Sequence, residues 1–219
     1  MNDTEARALA ALAPLTLREL LDRLSSSDPV PGGGSAAALA GAMGASLVSM
    51  VAALTAGRAE YAEADAAARE IGGAASSLRD ELIELAQRDS DAYQAVVSAR
   101  RLPRETDEQR AARSRAMGSA FAEAAEVPSR TARVARQALE LAGRIAPIGN
   151  RNAVSDAGVA ALLTAAAIRG AILNVRINLP YLPEDATIRV EAGAELSRLE
   201  QEASTLEAAA LADVATRIG

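Results

Sequence analysis

The chain of 219 residues has no cysteine, no histidine and no tryptophan, and all 23 of its cationic residues are arginine. Each absence removes a kind of chemistry. Without cysteine there is no disulfide framework, thiolate nucleophile or cysteine zinc site. Without histidine there is no Ser-His triad, and without lysine no Schiff base. No metal site is expected. Proton transfer is left to Asp, Glu, Tyr and water. Aromatic residues make up only 2% of the chain. The net charge of -6 and pI near 4.9 argue against nucleic acid or an anionic membrane as partner. The opening MNDTEARALA carries acids early and no basic segment followed by an apolar run, so no secretory signal is expected and the cytoplasm is the default location.

What is abundant is alanine, about a quarter of the residues, together with Leu, Glu and Arg. That composition favours helix almost throughout. The expected fold is all-α: one domain over residues 1–219, a bundle of long helices. Leu17, Leu20, Leu21 and Leu24 recur at helical spacing over 16–24. Between Asp28 and Arg58 no residue is charged, a run long enough for a membrane span. Its Ala, Gly and Ser content suits a buried central helix better, from Ser35 to about Gly57.

A long helix over 60–100 is expected to bend, at most, at Gly72-Gly73. Thr106 caps a helix running to about Val127, and Pro128 opens another to about Leu141. A second weakly charged helix spans about 152–178, beside the first, and an amphipathic one covers 184–218. Two uncharged helices are more than a chain of this size covers easily, so a homodimer is expected.

Four segments could carry chemistry. Pro31-Gly32-Gly33-Gly34-Ser35 opens the uncharged helix, where glycines let backbone N–H groups face a ligand oxygen; its plain alternative is a turn with a serine cap. Asp89 and Tyr93 share a helix face four residues apart, although neighbouring arginines equally suit a solvated surface. Asn150, Ser155 and Asp156 begin the second uncharged helix, and would converge with the glycine loop if those starts met; capping is the alternative. Asn174, Arg176 and Asn178 lie at its far end, where Arg176 is explained by the helix dipole.

In order, PGGGSAAALAGAMGASLVSMVAALTAGR, DSDAYQAVVSARRLPRETDEQR, AAEVPSRTARVA, GNRNAVSDAGVAALL and GAILNVRINLP resemble the formiminotetrahydrofolate cyclodeaminase and methenyltetrahydrofolate cyclohydrolase family over roughly residues 16–200. The resemblance implies an all-helical, dimer-forming enzyme in free-standing form. Its substrate would be a tetrahydrofolate derivative, polyglutamylated or not, and no bound cofactor is implied. Asp89 matches the family's proposed catalytic aspartate, with Tyr93 and Leu102-Pro103-Arg104 completing the motif; Asp91 does not match it. The PGGGS loop and Ser155-Asp156 match motifs thought to line the same cleft.

The reaction implied first is closure of 5-formiminotetrahydrofolate to 5,10-methenyltetrahydrofolate with loss of ammonia. The alternatives are methenyltetrahydrofolate hydrolysis and a non-catalytic helical folate-binding or interaction protein. Where relatives carry a Lys-rich run, this chain has Gly57-Arg58-Ala59-Glu60-Tyr61, so Arg58, Arg101 and Arg104 are the expected substitutes toward a glutamate tail. Ser129, after Val127-Pro128, replaces an apolar residue and is expected to be a neutral surface change.

Overall fold

The computed structural model describes residues 11–184 and 186–219, and within them it is helical with no strand. Six α-helices follow in order: α1 (Leu17–Leu24), α2 (Gly33–Thr55), α3 (Asp65–Arg100), α4 (Asp107–Ile145), α5 (Val154–Asn178) and α6 (Thr187–Ile218). Short 3₁₀ turns at Ala59–Ala64, Arg151–Ala153 and Leu179–Tyr181 precede α3, lead into α5 and follow it.

Several boundaries are written locally. Thr16 and Glu19 form a reciprocal capping box on α1, and Thr106 and Gln109 another on α4, each satisfying otherwise orphaned backbone N–H groups. Gly72-Gly73 leaves α3 unbroken. Two expectations fail. The first uncharged helix starts at Gly33 with Gly32 at the cap position, so Ser35 is inside the first turn and caps nothing. The break at Pro128 is absent, because α4 runs straight through it.

A proline inside a helix removes one N–H, which leaves the carbonyl four residues earlier without its partner. Here that carbonyl belongs to Ala124, and Asn178 Nδ2 donates to it at 2.8 Å from the end of α5. The tertiary structure thus repairs what the proline breaks. Ser129 beside it is buried, with its hydroxyl donating to the Ala125 carbonyl at 2.9 Å, so it is not the surface position expected from the sequence.

The helices alternate in direction. Ser49 meets Ser76 while Ser35 meets Ala86, so α3 runs antiparallel to α2. Arg88–Glu123, Arg130–Glu81 and Arg144–Glu70 run α4 back along α3, and Arg176–Glu200 and Arg169–Glu207 do the same for α6 on α5. These are largely exposed pairs, each worth about 0–1 kcal/mol, so they register the helices more than they hold them. The cohesion comes from side chains such as Ile71, Leu82, Leu85, Leu139, Ile168 and Leu199, all fully buried. Truncating any of these to alanine would cost about 2–5 kcal/mol.

At the centre α2 and α5 pack antiparallel through small residues. A Cβ on Gly41 would lie 3.3 Å from Ala167 Cβ, one on Gly170 3.1 Å from Ala37 Cβ, and one on Gly44 only 2.6 Å from Thr164 Cγ2. The adjacency expected of the two weakly charged helices is therefore present, in a form that only small residues permit. Both are long and apolar enough to cross a membrane by length and composition, and each buries about half of that stretch within the bundle.

Candidate functional site

The antiparallel arrangement decides which polar residues meet. The start of α2 lies beside the end of α5, and the start of α5 beside the end of α2. At the first of these ends a cavity of about 320 Å³ opens between four helices. Gly32, Gly33 and Gly34 form one side, Asp89, Tyr93, Val96 and Arg100 of α3 a second, Phe121 and Ala124 of α4 a third, and Asn174, Ile177 and Asn178 of α5 the fourth. The spacing 89, 93, 96, 100 keeps the α3 residues on one helix face.

Asp89 is half-buried and lies against the first turn of α2. A Cβ built on Gly34 would stand 2.1 Å from its Oδ1, so no other residue than glycine fits there without moving the carboxylate. Ser35, fully buried one residue on, donates through Oγ to Asp89 Oδ2 at 2.9 Å. The same hydroxyl lies 2.9 Å from the Ala86 carbonyl and 3.1 Å from Ser90 Oγ. A hydroxyl has one proton, so these acceptors compete for it and the Asp89 contact is partial.

Burial pushes the Asp89 carboxyl above the usual aspartate range, while hydrogen bonds from the Ser35 hydroxyl and backbone N–H pull it back down. No arginine forms an ion pair with it among the described residues. A carboxylate so placed can take up and return a proton.

The other polar groups at this end belong to α5. Asn178 Nδ2 donates to the Ala124 carbonyl and, at 2.9 Å, to the Asn174 carbonyl; Asn174 Nδ2 donates to the Gly170 carbonyl at 2.9 Å. At the rim Tyr181 stacks on Phe121, centroids 4.6 Å apart and planes 12° off parallel, and the Arg100 guanidinium lies 5.7 Å from the Phe121 centroid. Asp89 and Arg100 are the two charged residues in the lining. At 1.5 Å rise per residue their Cα atoms are about 16 Å apart along α3.

The residues expected from the sequence divide accordingly. Gly32, Gly33, Gly34, Asp89 and Tyr93 line the cavity, Ser35 stands behind it on Asp89, and Pro31 is buried in the turn before it. Arg101 and Arg104 are exposed and outside the lining, because the helical turn carries Arg100 to the cavity face and Arg101 away from it. Asn150, Ser155 and Asp156 are at the opposite end of the α2–α5 pair. Asn150 donates through N to Thr55 Oγ1 at 2.8 Å and through Nδ2 to the Leu54 carbonyl at 2.9 Å, at the far terminus of α2. Their expected convergence with the glycine loop within one chain is thus absent.

Asn174 and Asn178, read from the sequence only as a helix end, line the cavity, and their only signal in the sequence is position. In an alternating bundle the end of α5, not its start, reaches the start of α2. Arg176 on the same turn pairs with Glu200 at 2.9 Å and lies outside the lining. Among the described residues no group of three acidic side chains could hold a metal ion.

Residues 16–198 match the family described as formiminotransferase-cyclodeaminase. The chain is 43% identical, over 87% of its length, to a methenyltetrahydrofolate cyclohydrolase of Methylorubrum extorquens, of which the match covers 91%. It is 31% identical over 94% of its length to formimidoyltransferase-cyclodeaminase of Rattus norvegicus, and spans 38% of that longer protein. Among solved structures, a formiminotetrahydrofolate cyclodeaminase of Thermotoga maritima superposes with a TM-score of 0.83 at 28% identity, covering 94% of this chain and 99% of the other. With a match over nearly its whole length and the glycine-cradled aspartate in place, the chain belongs to the formiminotransferase-cyclodeaminase family.

Proposed function

We propose that the chain is an enzyme of folate one-carbon chemistry that acts on the carbon bridging N5 and N10 of tetrahydrofolate, with Asp89 as its proton-transferring group. The observation that carries this reading is Asp89 itself: a half-buried carboxylate without an ion-pair partner among the described residues, held against the first turn of α2 at the wall of the cavity. Hydrolysis of 5,10-methenyltetrahydrofolate is the reaction favoured, because the free-standing relative from M. extorquens, a cyclohydrolase by name, aligns with nearly its whole length.

In that reaction water adds to the electrophilic methenyl carbon and gives a proton to the Asp89 carboxylate. Return of the proton to N5 as the C–N5 bond breaks yields 10-formyltetrahydrofolate, with one proton released overall. Burial brings the carboxyl nearer to neutrality than a free aspartate, which suits both halves of this transfer. The bound substrate already holds the reacting carbon between its two nitrogens, so placing one water and one carboxylate supplies much of the help.

Cyclodeamination is the second reading, favoured by the whole-chain match to the T. maritima cyclodeaminase. N10 would attack the carbon of the protonated formimino group on N5 and lose its proton to Asp89; the resulting amino group would take that proton from the same carboxyl and leave as ammonia. The two are separated by following the methenyl chromophore with purified protein. Its protein-dependent decay supports hydrolysis, and its appearance from 5-formiminotetrahydrofolate supports cyclodeamination. No change with either substrate would leave a folate-binding or interaction protein.

The same reading extends to a homodimer. The outer faces of α2 and α5 expose Met43, Met50, Val159, Leu162, Leu173 and Ile177, with Leu173 64% and Ile177 67% accessible. Apolar exposure on that scale along two adjacent helices suits a second copy of the chain. Ile177 also lines the cavity, so pairing there would cover part of its rim. Sedimentation of Leu173→Asp tests it: the dimer should dissociate, and an unchanged sedimentation coefficient would place the interface elsewhere. A cytoplasmic location goes with this assignment.

A further inference from the structure

Pro128, Ala124 and Asn178 together fix the orientation of one polar side chain in the cavity lining. An asparagine amide offers two N–H donors and one acceptor oxygen. Both donors of Asn178 are spent on backbone carbonyls, that of Ala124 at 2.8 Å and that of Asn174 at 2.9 Å. The Ala124 carbonyl lacks its usual intrahelical partner because Pro128 has no N–H to give, and Asn178 fills that vacancy. Turning the amide over would set its oxygen against two carbonyl oxygens, so the orientation is locked. Oδ1 has no hydrogen-bond partner among the described residues, while Asn178 and Ala124 both line the cavity that holds Asp89.

We propose that Asn178 Oδ1 is a specificity-determining acceptor that reads an N–H donor on the ring system of the bound ligand. Resting on the folate reading above, that donor is the 2-amino group of the pterin, on the edge of the rings away from the reacting N5–N10 side. Asp89 serves the reacting end of the substrate and Asn178 the opposite edge of its rings. The proline is then part of the recognition device, since it creates the vacancy that fixes the asparagine.

The test compares two ligands, tetrahydrofolate and its 2-desamino-2-methyl analogue, which lacks the amino donor, by equilibrium binding and by kcat/KM of the corresponding methenyl compounds. The wild-type protein should prefer the amino compound by about tenfold or more, since a site built to accept a hydrogen bond penalises a ligand that cannot supply it. Asn178→Ala should weaken the amino compound by a similar factor, mainly through KM, and abolish the preference. Because that variant also orphans the Ala124 carbonyl, Pro128→Ala/Asn178→Ala is the companion: replacing the proline restores the intrahelical N–H, so the acceptor is removed while the backbone stays paired. Loss of preference in the double variant supports the assignment. A wild-type protein indifferent to the two ligands, or a double variant that still discriminates, overturns it. Absence of any folate binding or turnover by the wild type would instead overturn the folate reading on which it rests.

Discussion

The two ends of the α2–α5 pair carry similar residue types and spend their hydrogen bonds differently. At the end where α5 begins, the Asn150 amide and two of the three Arg217 guanidinium nitrogens are used up by the fold. Asn150 donates to Thr55 and Leu54 and accepts from the Asn152 N–H at 2.9 Å, and Arg217 donates to the Pro147 and Gly149 carbonyls. At the end where α5 finishes, Asp89 and Asn178 retain accepting capacity beyond what the described residues use. An asparagine at a helix start and an asparagine at a helix end are equally polar in sequence. What separates a structural group from a functional one is whether its hydrogen-bonding capacity is spent inside the chain.

The comparison can be broken most forcefully at Asp89. Asp89→Asn should lower turnover by about 10²- to 10⁴-fold, the range for losing a general acid-base group, with helicity and association unchanged. Steady-state kinetics with circular dichroism and sedimentation check this, and full turnover in the variant would remove Asp89 from the chemistry. The same variant sharpens the point on stability. A carboxyl whose value is raised on folding contributes its stability below the unfolded aspartate value of about 3.9 and loses it as pH rises through the folded value. Near neutrality the ionised group therefore opposes folding, so Asp89→Asn should melt above the wild type at neutral pH, and the gain should vanish in acid.

A smaller effect is expected from Gly34→Ala, whose Cβ would collide with the Asp89 carboxylate. Displacing that carboxylate should cost about 10²-fold in activity, with overpacking of about 1–3 kcal/mol in stability. Melting and activity measured together would expose an error here if activity survives intact. At the opposite end the balance should reverse. Asn150→Ala removes bonds to Leu54 and Asn152 and should cost about 1–3 kcal/mol in denaturant unfolding while the folded fraction keeps its kcat. The mildest change is Ser35→Ala. It removes a hydrogen bond that holds the Asp89 carboxyl down, so the limb of the pH–activity profile set by Asp89 should move to higher pH. An unmoved limb would mean that Ser35 only packs.

Much of the fold is legible in the sequence because local rules carry it. The apolar spacing of α1, the cap at Thr106 and the charge-free stretch after Asp28 each place an element within a few residues. Pro128 misleads because its compensation comes from Asn178, 54 residues from the Ala124 carbonyl it satisfies, and no local rule reports a distant donor. Asp89, Tyr93 and the glycines stand out through motifs whose members sit close together in sequence. Asn174 and Asn178 read as an ordinary helix end, and Asn150 with Ser155 and Asp156 as part of the site, unless the direction of α5 relative to α2 is followed through. Counting alternations from α2 to α5 gives an antiparallel pair and puts Asn174 beside Gly33, with Asn178 one turn further along. Arg101 and Arg104 come ahead of Arg100 for a related reason: the helical phase that aligns Asp89 with Tyr93 has to be carried on to residue 100 before Arg100 shows on the same face.

The small-residue contact between α2 and α5 also bears on how the molecule comes together. Gly41 meets Ala167 and Ala37 meets Gly170, partners more than 120 residues apart along the chain. Individual helices form from neighbours within a turn or two, on timescales of about a microsecond, whereas closing so long a loop must meet its entropy cost before any contact rewards it. The wall of the cavity is drawn from α2, α3, α4 and α5, so a chain can hold most of its helical backbone and still have no site. Backbone order is spread along the whole sequence, but competence arrives only when its central seam closes.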